Sequence, residues 1–449
     1  MAGAEFSPLI TSRADLIEAM ARGAKPRSEW RIGTEHEKHV YRKHPLRSVP
    51  YAGADGIRAL LEGVRQRTGW QFFHDGDDPI GLRNDGPVGG ISLEPGGQFE
   101  LSGAPHATIH AAAAELHAHL EDCRAVGGPL NIHFLGLGVT PLWSVAEIER
   151  MPKSRYAIMT PYMDKVGALG TSMMYRSATV QANLDFADEA DMVRKMRVSL
   201  ALQPVVTALF ANSPFVDGRP SGYLSFRSQI WLDTDRARTG MLPFAFEDGF
   251  GFDRYAEHAL DVPMYFVIRD HHYVDVAGES FRAFMRGELP QLPGERPTVR
   301  DWEDHLSTLF PEVRLKQFLE MRGADMGDAA HVLALPALWA GLLYDEDALA
   351  AAAALVADWT IEEMATMRNA VPRSAIHTPF RGGTVAGPAA EMVAIARAGL
   401  EARGQGEEQY LAPLEETLAL GRTQAERWLD KYNGEWAGDL TRIFDEAEM

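Results

Sequence analysis

Thr179-Val180-Gln181-Ala182-Asn183-Leu184-Asp185-Phe186 alternates strictly between polar and apolar residues. In an extended chain, successive side chains point to opposite faces. Val180, Ala182, Leu184 and Phe186 therefore share one face, and Thr179, Gln181, Asn183 and Asp185 share the other. A sheet with one apolar and one polar face is typically antiparallel, with helices on the apolar side and the polar side open to solvent or ligand. The pattern argues against a doubly wound nucleotide-binding sheet. It also makes the polar face the surface to search for chemistry.

Two upstream stretches carry acids in a similar setting. Arg31-Ile32-Gly33-Thr34-Glu35-His36-Glu37-Lys38-His39-Val40 reads as a strand with Glu35 and Glu37 on one face. Neighbouring carboxylates repel unless protons or cations lie between them. The pair is either a set of oxygen ligands for Mg²⁺, a hard cation that favours carboxylates and phosphates, or an exposed acidic strand. His36-Glu37-Lys38-His39 is one residue short of H-E-x-x-H, so the helical zinc-protease reading fails. In Gly89-Gly90-Ile91-Ser92-Leu93-Glu94-Pro95-Gly96-Gly97-Gln98-Phe99-Glu100-Leu101, Gln98 and Glu100 share a face opposite Phe99 and Leu101. Glu94 precedes a Pro-Gly-Gly break that either re-aims the chain or serves an ordinary hairpin.

Downstream, Phe318-Leu319-Glu320-Met321-Arg322-Gly323 puts Glu320 and Arg322 on one face. That is a plain salt bridge or, in a phosphate site, a metal ligand beside a phosphate-binding guanidinium. Arg176, Arg227, Arg236 and Arg238 lie in segments read as strand or loop. Arginine suits bidentate recognition of carboxylate and phosphate. A solvated face is the competing reading, strongest for Arg236 and Arg238 and weakest for Arg227, which has aromatic and apolar neighbours.

The chain has 449 residues and a formal net charge of -19, which disfavours nucleic acid and anionic membranes as general partners. A local arginine cluster can still hold anionic ligands. Cys123 is the one cysteine, so an intrachain disulfide is impossible and a reducing compartment is the natural reading. It falls in an alanine- and leucine-rich helical stretch, 106–126, as a small buried hydrophobe. The N-terminus lacks a basic region followed by an apolar core, and no run approaches ~18 uninterrupted apolar residues. Cytoplasm is the expected location. Walker-type and dinucleotide glycine motifs, the G-x-S-x-G elbow and the kinase motifs are all absent.

No repeat or low-complexity linker divides the chain. A short amphipathic helix is expected over 12–22, and alternating strands and helices over 31–322. Helical periodicity dominates 346–369, 388–403 and 409–444. The expectation is a single catalytic unit over 1–449, with a sheet-bearing core over about 29–330 and a helical part over about 331–449 packed on it.

Taken together, Gly33-Thr34-Glu35-His36-Glu37-Lys38, the string from Ile91 through Glu94 and Glu100 to Ser102, Met151-Pro152-Lys153-Ser154-Arg155-Tyr156, the Thr179 strand and Glu320-Met321-Arg322-Gly323-Ala324-Asp325 resemble the plant- and proteobacterial-type glutamate–cysteine ligases. The likeness runs from about residue 29 to the C-terminus. It implies an α+β, glutamine-synthetase-like fold, a curved antiparallel sheet funnel with helices outside. It implies small-molecule substrates (L-glutamate, L-cysteine and ATP), two or three Mg²⁺ ions, and a monomer or homodimer. ATP would phosphorylate the γ-carboxylate of glutamate and the cysteine amine would displace phosphate, the first step of glutathione synthesis. A same-fold ligase for another amine, or a non-catalytic relative, is the alternative. The resemblance further implies Glu35, Glu37, Glu94, Glu100 and Glu320 as metal ligands. Gln181 lies where a bacterial relative places a metal-binding histidine. Arg322 would stabilise the transferring phosphoryl group, Arg176 and Arg227 would hold substrate carboxylate or phosphate, and Lys153 and Arg155 would line the nucleotide side. The disulfide regulation of the plant enzymes cannot operate with Cys123 alone.

Overall fold

A ten-stranded antiparallel sheet forms the body of the protein, seen in a computed structural model that describes residues 7–84 and 89–449. The expectation of no secretory leader rests partly on residues 1–6, which lie outside the described residues. The strands of this sheet are β1 (Ile32–Lys43), β2 (Leu46–Ser48), β3 (Gln71–Asp75), β4 (Asp78–Arg83), β5 (Gly90–Leu93), β6 (Phe99–Ser102), β7 (His133–Leu135), β8 (Thr179–Leu184), β9 (Val313–Leu315) and β10 (Leu319–Asp325). Their order is β9-β10-β8-β1-β6-β5-β4-β3, and β2 and β7 pair with the distal half of β1. With helices packed against it, the chain is α+β.

The alternation in β8 is realised as expected. Val180, Ala182 and Leu184 are fully buried, with the helix Ala329–Leu343 packed on β8 and the helix Glu189–Leu209 on β10. Ala329–Leu343 is apolar on every side and buried from His331 to Leu343, as a helix without a polar face must be. β1 obeys the rule less cleanly. His36 and Lys38 point to the same helix-covered side, yet both are buried and polar. Lys38 Nζ meets His36 Nδ1 at 3.0 Å and donates to the His36 carbonyl at 3.3 Å. Cys123, in the helix Ile109–Gly127, lies in the same layer with its Sγ 3.5 Å from His119 Nε2. Burial pushes the Cys123 thiol up to about 12, so it stays a neutral thiol.

Glu94 to Gln98 closes as a hairpin turn rather than a strand bulge: Gly97 N–H donates to the Glu94 carbonyl and Glu94 N–H to that of Gln98. Gly97 has φ +82, and Gly96 passes so close that a Cβ there would sit 2.2 Å from the Tyr175 carbonyl. A bulge does occur in β10, between Met321 and Ala324.

Several boundaries differ from the sequence expectation. The stretch 346–369 contains two helices, Glu346–Val356 and Ile361–Ser374, because Thr360 and Glu363 form a capping box that starts a new one. The stretch 409–444 is broken into short pieces, with Gly421 in a left-handed conformation at one break. Arg176 ends the helix Gly170–Arg176 and Arg227 lies in the helix Phe226–Leu232, where strand or loop was expected. One apolar core contains residues from Ile10 to Met449, uniting the sheet body and the C-terminal helices.

Candidate active site

Register decides which polar side chains meet. Glu37 on β1 pairs with Glu100 on β6, which in turn pairs with Ser92 on β5. One step along, Glu35 lies between Ser102 on β6 and Gln181 on β8. Asn183 on β8 lies opposite Glu320 on β10. Odd residues of β1 and β8 and even residues of β5, β6 and β10 thus form one continuous polar surface.

That surface floors a cleft of about 250 Å³. The opposite wall brings Arg155, Tyr156 and Met159 from the helix Ser154–Val166, Met173 and Met174 from Gly170–Arg176, and Arg227 and Trp231 from Phe226–Leu232. The aromatics and methionines were not singled out in the sequence. Their spacing reads equally well as core, and only the fold turns them to the cleft.

The acids form two populations. Glu35, Glu37, Glu94 and Glu100 all line the cleft. Glu35 accepts a hydrogen bond from Asn183 Nδ2 (2.8 Å), Glu37 from Thr179 N–H (3.0 Å), and Glu100 from the hydroxyls of Ser92 (3.0 Å) and Ser102 (3.2 Å). Glu94 has Arg155 at 3.8 Å and accepts from the Tyr156 hydroxyl. Burial, then the charges of Glu320 and Glu100, push the Glu35 carboxyl up to about 7. Burial and Glu94 raise Glu37 well above the carboxylate range and raise Glu100 as well. Carboxyls held this way resist ionising until a cation arrives.

Glu320 differs. It is fully buried and does not line the cleft. Arg314 holds it with two bonds, Nε to Oε2 (2.5 Å) and Nη2 to Oε1 (2.8 Å), and Arg322 Nη1 donates at 2.9 Å. Burial alone would raise this carboxyl, but Arg314, Lys316 and Arg322 hold it well below the usual range. Arg314, missed in the sequence, lines the cleft beside it. The signal available was the alternation Val313-Arg314-Leu315 one turn before Glu320.

The remaining expected residues divide. Gln181 lines the cleft, and its Oε1 accepts from Arg322 Nη1 at 2.5 Å. Arg227 and Arg322 also line the cleft, linked by Arg227 Nη2 donating to the Arg322 carbonyl (2.9 Å). The bulge at Gly323 re-aims Arg322, whose N–H donates to the Glu312 carbonyl. Asp325 accepts from Ser213 and Ser225 hydroxyls beneath Arg227 and so fixes the start of its helix. Arg155 is on the wall. Lys153 is buried behind it, over the Tyr156 ring, and burial brings its ammonium down to about 8. Arg176 does not reach the cleft: its Nη2 pairs with Asp217 at 2.9 Å. Arg236 is exposed, whereas Arg238 is fully buried on Asp235 and the Tyr265 ring, the reverse of a solvated residue.

Among the described residues no three His, Cys, Asp or Glu side chains converge as a ready-made metal cage. The donor set still fits Mg²⁺. This ion takes one or two carboxylates and completes its shell with waters and substrate phosphate oxygens. Glu35, Glu37 and Glu100 have no ion-pair partner among the described residues, Glu94 has one only at 3.8 Å, and no histidine or cysteine is among the described residues that line the cleft.

A family model described as Glutamate-cysteine ligase family 2 (GCS2) matches residues 31–446. Over 435 residues the chain is 51% identical to a chloroplastic glutamate–cysteine ligase of Medicago truncatula, covering 97% of this chain and 85% of that protein. It is 52% identical to the corresponding protein of Arabidopsis thaliana, covering 97% and 82%. Among solved structures, a glutamate–cysteine ligase from Francisella tularensis in complex with AMP shares the fold, with a TM-score of 0.53 at 11% identity, covering 93% of this chain and 87% of that one.

Proposed function

The chain belongs to glutamate–cysteine ligase family 2, and from that premise we propose how its cleft carries out the family's reaction. The enzyme is an ATP-dependent ligase that joins the γ-carboxylate of L-glutamate to the amine of L-cysteine, opening glutathione synthesis. ATP's γ-phosphoryl group passes to the glutamate carboxylate. The amine nitrogen then bonds to the acyl carbon, the acyl–oxygen bond breaks, and phosphate leaves with that oxygen.

Bringing a carboxylate to a triphosphate sets anion against anion, a repulsion that grows in a water-poor cleft. The single observation that carries the proposal is the split of charges across this cleft: the carboxyls of Glu35, Glu37 and Glu100, each raised by burial, share it with the guanidiniums of Arg227 and Arg322. Glu35, Glu37, Glu94 and Glu100 would hold Mg²⁺, which when bound neutralises the phosphates. Arg322 and Arg227 meet the charge of the transferred group. Glu320, clamped by Arg314, keeps Arg322 in place and is a positioning residue as found here. Gln181 acts through Arg322 in the same way, and either becomes a metal ligand only by releasing that guanidinium. Arg155 covers the nucleotide side, with Lys153 behind it. Arg176 supports the fold.

The continuous core supports a single catalytic unit, and two or three ions fit the number of free carboxylates. No helix among the described residues is long and apolar enough to cross a membrane. We place the protein in the cytoplasm, where a buried lone thiol is expected, although the relatives above carry a chloroplast label. Cell fractionation checks this. The main experiment is a coupled assay with ATP, Mg²⁺ and glutamate. Phosphate release should depend on cysteine, with γ-glutamylcysteine confirmed by mass. Equal or better turnover with another amine would overturn the substrate assignment.

A further inference from the structure

The arginine end of the cleft is backed by a second, smaller space. Arg227, Trp231, Phe310 and Arg322 also border a neck of about 20 Å³ behind the cleft, where they meet Glu312 and Arg368. Trp231, Thr239, Gly240 and Arg368 in turn border an outer hollow of about 200 Å³ that opens beside Arg236 and Ala365. Trp231 borders all three spaces, which lie in series from the cleft toward the surface beside Arg236 and Ala365.

The charge along this passage is opposite to that of the protein as a whole. On a chain of net charge -19, four arginines line the neck and hollow, and the one carboxylate there among the described residues, Glu312, is bound by the Arg368 guanidinium. Two buried donors at the inner end have no protein partner: Nε of Arg227, a residue 2% exposed, and Nε1 of Trp231. Buried donors left unpaired cost free energy unless something else accepts from them. An oxyanion would.

Resting on the ligase reading above, we propose that this passage is an exit for inorganic phosphate, with the Arg227–Trp231–Arg368 neck as its binding station. The phosphoryl group is transferred between nucleotide and glutamate, so once the peptide bond forms, phosphate is flanked by ADP and γ-glutamylcysteine on the cleft side. Arg322 and Arg227, which hold it there, are also the inner walls of the neck. At about 20 Å³ the neck has room for a water rather than a phosphate. Departure therefore requires the Trp231 side chain to swing, which makes it a gate.

The test separates chemistry from release. Ala365 is exposed on a helix surface at the outer mouth, so Ala365→Trp obstructs the hollow without touching the core. Thr366→Trp, exposed next to it and outside the hollow, is the control. In single-turnover experiments, γ-glutamylcysteine formation is followed by quench and free phosphate by a fluorescent phosphate-binding reporter. Ala365→Trp should leave peptide formation unchanged and slow phosphate appearance about tenfold, with Arg236→Glu slowing it less. The control should match the wild type. Unchanged phosphate release in Ala365→Trp overturns the exit, as does equal slowing by Thr366→Trp. Wild-type protein that makes no γ-glutamylcysteine would instead overturn the ligase reading, before the variants are compared.

Discussion

Glu37 and Glu320 occupy the same face of one sheet, two strands apart, yet they have opposite electrostatic fates. Glu37 looks across to Glu100, has one backbone donor, and is driven toward its neutral form by burial and by Glu94. Glu320 is gripped by Arg314 and Arg322 and held ionised. A carboxylate with its own cations is structurally complete. One without them is finished only by an ion from outside. The contrast teaches that acid content on a sheet face does not by itself mark a metal site. The supply of internal cations decides.

Four measurements can break or sharpen this contrast. The largest effect is expected at the compensated end. Glu320→Ala leaves two buried guanidiniums without their carboxylate and should cost about 3–5 kcal/mol of stability in denaturant titration, with activity lost as well. A variant as stable as the parent would mean that the pair is not structural. At the uncompensated end, Glu37→Gln should do the reverse. Metal-free stability should hold or rise because repulsion is relieved, while Mg²⁺-dependent turnover falls by about 10²-fold or more. Retained turnover would remove Glu37 from the ion site.

At the border between the two regions stands Asn183, opposite Glu320 and donating to Glu35. Asn183→Ala should weaken Mg²⁺ binding by roughly 10–100-fold, as loss of an orienting partner does, with a much smaller change in stability. Isothermal titration would show it, and an unchanged affinity would make the contact incidental. The smallest effect concerns pH. With Glu35 raised from 4.5 to about 7, the folded metal-free protein holds a proton that the unfolded chain has lost. The sign follows: metal-free stability falls as pH rises from about 4.5 to about 7 and levels off above. Because Mg²⁺ must displace that proton, its affinity should rise by about tenfold between pH 6 and pH 8. A flat profile over that interval would show that Glu35 is already ionised.

The legible part of this protein was local. Strict alternation in Thr179–Leu184 gave a one-sided strand, and paired acids two residues apart on β1 gave a shared face. The missed or displaced residues share a different property. Arg314 matters because β9 folds back beside Glu320, and Trp231 and Met173 face the cleft because short helices are packed over the sheet. Arg176 sits beside strand-like sequence but is turned to Asp217 by the end of its helix. Arg238 sits in polar sequence but is buried on Tyr265.

Sequence alone thus determined the antiparallel, helix-backed sheet, the identity of its polar face and the family, because side-chain period and residue order are carried by neighbouring residues. Tertiary structure alone decided which carboxylates are left without cations, which arginines reach the cleft and which are spent elsewhere. Charge compensation acts through space over a few ångströms, between residues as distant in the chain as Glu35 and Glu320, and no local pattern encodes that distance.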